Sequence, residues 1–306
     1  MSETTGRLRV GRRTIQLTHP EKIYFPGQPP ITKRELAEYY AAVASHMIPL
    51  TRNRPAMLHR FPDGIGAPGF FQKEVSDWFP DWIARATVPK AGGKVTHVLC
   101  NDAATLVYLA GQGCITPHVW LSRVDKPRHP DRLIFDLDPP RGFSQARHAA
   151  RAVHQLLDQL GLASGIMTTG SRGLHVVVPL DRAADFDAVR AFAWDVANLL
   201  IRRHPAELTV ETRIAKRGGR LFLDTTRNAY AQTGVAPFAV RARPGAPVAT
   251  PIFWEELDDP KLDAETFRLT NVLDRIDSAD PWKNLLRRRQ GLGRAARRLN
   301  ELTGSD

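Results

Sequence analysis

Between residues 132 and 224 the apolar side chains switch repeatedly between a two-residue and a 3.6-residue period, and few folds accept that alternation. The run Leu133, Ile134, Phe135 leads into Asp136-Leu137-Asp138-Pro139-Pro140 and reads as a buried strand ending at a turn. Ser144 is placed to cap a helix that carries Ala146, Ala149, Val153, Leu156 and Leu160 and that Gly161 closes. Ile166 to Thr169 and Leu174 to Val178 read as strands flanking Gly170-Ser171-Arg172-Gly173. A second amphipathic helix uses Phe186, Val189, Phe192, Ala193, Val196 and Leu200. Further strands are expected around Leu208 to Arg213 and Arg220 to Leu223, as a hairpin turning at Gly218-Gly219. The order strand, helix, strand, strand, helix, strand predicts an α+β unit with a ferredoxin-like, RRM-like βαββαβ sheet. Both helices then cover one sheet face and leave the other free for a site. The first strand is central in this topology, so Asp136 and Asp138, His175 and Asp224 fall on three neighbouring strands. Which hairpin arm pairs with the first strand, and hence the height of Asp224, stays open.

Upstream, Thr32 caps a helix with Glu35 completing a capping box, and Leu36, Tyr39, Tyr40, Val43 and Met47 form its apolar stripe. No repeat of solenoid period is visible, and Pro and Gly are not gathered into a linker. The expectation is one domain over 1–285, with an N-terminal portion of about 1–130 packed on a catalytic portion of about 131–285, and then a basic tail, 286–306. In that tail Arg287, Arg288, Arg289, Arg294, Arg297 and Arg298 form a basic helix suited either to a DNA backbone or to solvent. Lys and Arg number 43 against 32 Asp and Glu, a formal +11, which suits a polyanionic partner better than a neutral metabolite. Cys100 and Cys114 stand in no CxxC or Cys/His cluster, so neither a zinc site nor a disulfide framework is indicated. No apolar run approaches the roughly 18 residues that span a bilayer and no signal segment opens the chain, so the expected setting is the cytoplasm.

Side chains two apart on a strand share a face, so Asp136 and Asp138 present carboxylates about 7 Å apart along the chain. Unpaired, they repel; a hard divalent cation with oxygen ligands removes the conflict, and two such ions about 3.5–4 Å apart are the usual device for phosphoryl displacement. Asp224, ending Leu221-Phe222-Leu223, adds a third carboxylate. Alone, an Asp-x-Asp pair is often a solvated turn or a helix cap. The turn Thr168-Thr169-Gly170-Ser171-Arg172-Gly173-Leu174-His175 offers backbone N–H groups, hydroxyls and a guanidinium to a phosphate chain, although by itself it reads first as an ordinary hairpin.

Together with Thr18-His19-Pro20-Glu21-Lys22, Thr32-Lys33, Arg60-Phe61-Pro62-Asp63-Gly64, Gly69-Phe70-Phe71-Gln72-Lys73 and Val240-Arg241-Ala242-Arg243-Pro244-Gly245, these segments follow a recognisable order. From about Thr18 to about Leu257 the chain resembles the primase-polymerase domains of bacterial DNA ligase D, in the archaeo-eukaryotic primase superfamily that serves nonhomologous end joining. The resemblance implies a primase-like fold and makes Asp136, Asp138 and Asp224 the catalytic metal carboxylates. It assigns Ser171, Arg172, His175 and Arg243 to the triphosphate, with His118 near a family histidine at the nucleotide site. Lys22 and Lys33 match positions that grip the 5′-phosphate of a gap or break, and Phe70 and Phe71 the pair that meets the base and the templating strand. The physics agrees: an ammonium is a compact charge for a terminal phosphate, and exposed adjacent aromatics form a stacking platform. Read without the resemblance, paired aromatics are usually core and the two lysines ordinary surface. Arg172 stands where many members have Lys, and Thr225 where an aromatic is common. With no ligase or nuclease module before Asp306, a stand-alone polymerase or an excised domain is expected.

The expected activity is DNA-dependent nucleotidyl transfer to 3′-ends at gaps or breaks, with two Mn²⁺ or Mg²⁺ ions and a nucleoside triphosphate as substrate. Family likeness adds a preference for ribonucleotides and for manganese, a nucleoid-associated setting, and partnership with Ku and an ATP-dependent DNA ligase. A non-catalytic DNA-end-binding module and a metal-dependent nuclease are the rival readings.

Overall fold

The computed structural model describes residues 5–90, 92–278 and 280–304. In chain order the first elements are β1 (Thr5–Val10), β2 (Arg13–Thr18), β3 (Ile23–Phe25), β4 (Ile31–Thr32), α1 (Lys33–Thr51), β5 (Ala56–Arg60), β6 (Phe70–Gln72), β7 (Arg85–Lys90), β8 (Gly93–Val98), α2 (Ala103–Gly111) and β9 (Cys114–Trp120). There follow β10 (Arg132–Asp138), α3 (Phe143–Gln159), β11 (Gly165–Thr168), β12 (Leu174–Pro179), α4 (Phe186–Arg203), β13 (Leu208–Thr209), β14 (Leu221–Asp224), β15 (Thr233–Val235), β16 (Pro251–Ile252), α5 (Val272–Ser278) and α6 (Leu292–Thr303). The chain partitions into two compact units, Met1–Trp120 with Thr233–Thr250 and Phe267–Ala279, and Leu121–Gln232 with Pro251–Thr266 and Asp280–Asp306.

In the first unit a four-stranded sheet runs β15-β9-β5-β6, antiparallel throughout. Thr32 and Glu35 close the capping box that starts α1, and Leu36, Tyr39, Tyr40, Val43 and Met47 are all buried, as their spacing requires. Burial leaves the two tyrosine hydroxyls in need of acceptors. Tyr40 donates to the Ile115 carbonyl at 2.5 Å and Tyr39 to that of Phe238 at 2.8 Å. Cys100 and Cys114 are buried free thiols, and burial raises both, Cys100 to about 12.

In the second unit the sheet order is β13-β14-β10-β12-β11-β16. The first strand of the βαββαβ run, β10, lies between the third, β12, and the fourth, β14. Leu133, Phe135 and Leu137 of β10 alternate toward the side packed by α3 and α4, while Asp136 and Asp138 take the other face and are only half buried. Two local expectations are corrected. Ser144 does not cap α3: the helix starts at Phe143 with Gly142 at the capping position, and the Gln145 side chain accepts the Arg141 N–H at 3.1 Å. The last two strands form no hairpin; β13 is two residues long and pairs in parallel with β14. Arg217 donates to the carbonyls of Glu211 and Thr212 at 3.0 and 2.9 Å, and Gly218 and Gly219 take φ of 60° and 77°, which folds the intervening chain into a crossover loop.

The tail is anchored in this unit. Trp282 is buried and donates to the Ile166 carbonyl at 3.2 Å, and the Gln290 amide bonds Ala163 on both N–H and carbonyl. The terminal helix begins only at Leu292, after the Arg287-Arg288-Arg289 run, and buries Ala295 and Leu299 against α4 while Arg294, Arg297 and Arg298 stay exposed. No described helix is long and apolar enough to cross a membrane.

Candidate active site

Antiparallel pairing sets Asp136 of β10 directly across from Asp224 of β14 and, on its other side, across from His175 of β12. Paired residues share a face, and so do residues two apart, so Asp136, Asp138, Asp224 and His175 project together. Asp136, with a side chain 16% exposed, is held on both oxygens: His175 Nε2 lies 3.5 Å from Oδ1 and Arg227 Nε 3.3 Å from Oδ2. Burial would raise this carboxyl, but the charges and hydrogen bonds of His175 and Arg227 outweigh it and hold it down at about 2. Asp138 goes the other way, raised by burial and by the Asp136 charge, with Asp224 adding to the rise and Arg172 and Arg217 opposing it. Asp224 Oδ1 accepts from the Thr226 N–H and hydroxyl at 2.7 and 2.5 Å. Among the described residues no three His, Cys, Asp or Glu side chains stand as a ready metal cage, and the oxygens of Asp136 and Asp224 are turned onto donors of the protein itself.

The hairpin between β11 and β12 stands at the Asp138 end of β10, where Leu174 pairs with Leu137. Thr169 and Gly173 close it, with the Thr169 N–H and hydroxyl both reaching the Gly173 carbonyl at 3.1 Å. Ser171 is half-buried and Arg172 exposed in the turn, whereas His175 is buried with no partner for Nδ1 among the described residues.

The remaining candidates lie in the first unit. Lys22 pairs with Asp63, and the Lys33 N–H bonds the Lys22 carbonyl at 2.8 Å, which keeps the two lysines adjacent. Lys33 is not the solvated surface residue the sequence allowed: it is 6% exposed, and its ammonium donates to the Thr18 carbonyl at 2.6 Å. Burial and then the Lys22 charge lower its pKa, a conflict that a bound anion would relieve. Phe70 and Phe71 are not core either, being 47% and 56% exposed. As neighbours on one strand they face opposite ways. Phe70 meets the Arg60 guanidinium, 5.4 Å from its ring centre, and Phe71 stacks on His59 at 4.1 Å with its edge to His118 at 6.0 Å. Arg243 is half-buried in the turn after Val240.

Sequence reasoning missed His59, Asp63, Trp78 and Arg227. Arg227 carried a signal, because it follows Asp224 by three residues, one turn of a 3₁₀ helix. His59 and the 56% exposed Trp78 carried none, since only strand register and the Arg60 guanidinium, 5.6 Å from the Trp78 ring centre, bring them to the aromatic pair.

Residues 32–282 match the family described as LigD, primase-polymerase domain. The chain is 33% identical over 297 residues to the multifunctional non-homologous end joining DNA repair protein LigD of Mycobacterium tuberculosis, covering 91% of this chain and 39% of that protein. It is 33% identical over 300 residues to the LigD protein of Pseudomonas aeruginosa, covering 96% of this chain and 36% of that one. The chain thus spans well under half the length of these relatives. Among solved structures, the polymerase domain of Mycobacterium tuberculosis ligase D in complex with DNA superposes with a TM-score of 0.84 at 34% identity, over 90% of this chain and 98% of that one.

Proposed function

This chain belongs to the LigD primase-polymerase domain family, and from that premise we propose that it extends the 3′-ends of DNA at gaps or breaks by nucleotidyl transfer. The observation that carries the reading is the register that sets Asp136 opposite Asp224, with Asp138 on the same face. The donor set fits a hard divalent cation: all three groups offer carboxylate oxygens, and the pKa of Asp138 is raised by burial and by its acidic neighbours. When bound, a pair of such ions would favour ionisation of the attacking 3′-hydroxyl and offset the charge that develops on pyrophosphate. In the reaction the 3′-oxygen forms an ester bond to the α-phosphorus, the bond between the α-phosphorus and the bridging oxygen breaks, pyrophosphate leaves, and the hydroxyl proton passes to solvent.

Asp136, Asp138 and Asp224 orient the reacting groups. On family kinship, Ser171, Arg172, His175 and Arg243 serve the triphosphate, and His118 the nucleotide. Lys22 and Lys33 take the 5′-phosphate of the downstream strand, a role supported by the depressed pKa of the buried Lys33. Phe70 and Phe71 stack on bases, which their exposure permits. The reading extends, on family kinship, to ribonucleotides and Mn²⁺ as preferred substrate and ion, and to work in non-homologous end joining beside Ku and an ATP-dependent ligase.

The test is incubation with primed, gapped DNA, Mn²⁺ and labelled ribo- or deoxyribonucleotides. Extension is expected, faster with ribonucleotides; mere retention of DNA would make the chain a binding module, and shortening a nuclease. Asp136→Ala is expected to lower extension by several orders of magnitude while DNA binding persists. Retained extension in that variant would remove the assignment.

A further inference from the structure

Resting on the metal reading above, we propose that Arg227 is the resident counter-cation of the acidic face, which a divalent ion has to displace from Asp136 and Asp224 in order to bind. The turn Thr226–Asn228 follows β14 after Thr225 and returns the Arg227 side chain over the carboxylates. Its Nε lies 3.3 Å from Asp136 Oδ2 and 3.9 Å from Asp224 Oδ2, so one guanidinium spans the two strands at their paired register. The other oxygen of each aspartate is also engaged, that of Asp136 by His175 and that of Asp224 by Thr226. Asp138 alone of the three has neither hydrogen bond nor ion pair among the described residues.

A divalent ion and a guanidinium compete here for the same lone pairs, and at such range their charges repel. Arg227 is able to yield. Its side chain is 41% exposed, and a long flexible stem can carry the charged head out to water at small cost. Two consequences follow for the acidic face. Without a divalent ion, Arg227 holds Asp136 and Asp224 together against their mutual repulsion. With one, the free energy of displacing the guanidinium is subtracted from metal affinity, so Arg227 sets the concentration at which the site loads. Arg217 supplies the comparison. Its charge also reaches Asp138, but its guanidinium is held by the carbonyls of Glu211 and Thr212 and lies over the Phe222 ring, 4.1 Å from the centre.

Mn²⁺ binding by calorimetry and melting temperature in EDTA and in Mn²⁺ are measured on the full chain and on Arg227→Gln, Arg227→Met, Arg217→Gln and Asp138→Asn. The two Arg227 variants provide a polar and an apolar replacement in case one folds poorly. Both are expected to bind Mn²⁺ about tenfold more tightly than the natural chain. They should also melt lower in EDTA and gain more from Mn²⁺, while Arg217→Gln stays within about threefold in affinity. Unchanged affinity in the Arg227 variants would overturn the proposal, and so would an equal gain in Arg217→Gln, which would make the effect one of general charge. Failure of the metal reading looks different: the natural chain would take up no Mn²⁺, or Asp138→Asn would take it up equally well.

Discussion

His97 shows how a single burial event sets a pH response. It is 3% exposed, its Nδ1 lies 3.0 Å from the Ala56 carbonyl, and its ring meets Trp120 edge-on. Burial lowers its pKa below the ordinary 6.5, against smaller opposing effects from the Ala56 bond and Glu74. The folded state therefore resists protonation that the unfolded chain accepts, so this contribution to stability is complete above about pH 6.5 and is lost as the pH falls toward the depressed folded value. Melting temperature should decline from pH 7.5 to 5, and His97→Gln should flatten that slope. Some slope should survive, because His59 is also depressed, by burial and then by the Arg241 charge. Lys33 makes a second expectation at this scale. Lys33→Met should abolish any preference for a gap bearing a 5′-phosphate, while changing the melting temperature little, because the substitution removes a desolvated charge along with its bond to Thr18. Binding to gapped DNA with and without that phosphate measures the first effect, and a melting scan the second.

Among the elements, α1 and the β11–β12 hairpin were legible for different reasons. The α1 boundary is written locally, by a hydroxyl and a carboxylate three residues apart, so Thr32→Ala should cost about 1 kcal/mol in denaturant unfolding. The hairpin depends on a close approach. Any Cβ on Gly173 would overlap the Leu137 carbonyl oxygen, one residue from Asp138. Gly173→Ala is therefore expected to destabilise by more than the cap variant, since backbone has to move, and to weaken Mn²⁺ uptake by shifting β10. Denaturation and Mn²⁺ titration check both. The crossover before β14 was not legible. Its parallel pairing goes with a loop in which Arg217 captures the Glu211 and Thr212 carbonyls, and such side-chain to backbone bonds have no signature in the spacing of apolar residues.

For the whole molecule the excess of Lys and Arg gives a formal +11, and a chain of this charge should bind duplex DNA with an affinity that falls log-linearly with salt. Titrations at several salt concentrations measure it, and a flat response would remove the electrostatic argument for a nucleic-acid partner. The chain does not divide at one point: Thr233–Thr250 and Phe267–Ala279 return to the first unit after the second has begun. Sequence by itself determined the βαββαβ order, the helix that starts at Thr32 and the strand that carries Asp136 and Asp138, because period and capping are properties of neighbours along the chain. Tertiary structure alone decided that Asp136 faces Asp224, that Arg227 lies across both, and that Phe70 and Phe71 stand out in solvent on opposite sides of an edge strand. Register, burial and ion pairing join residues far apart in the chain, and no local pattern of apolar or charged side chains fixes which of them will meet.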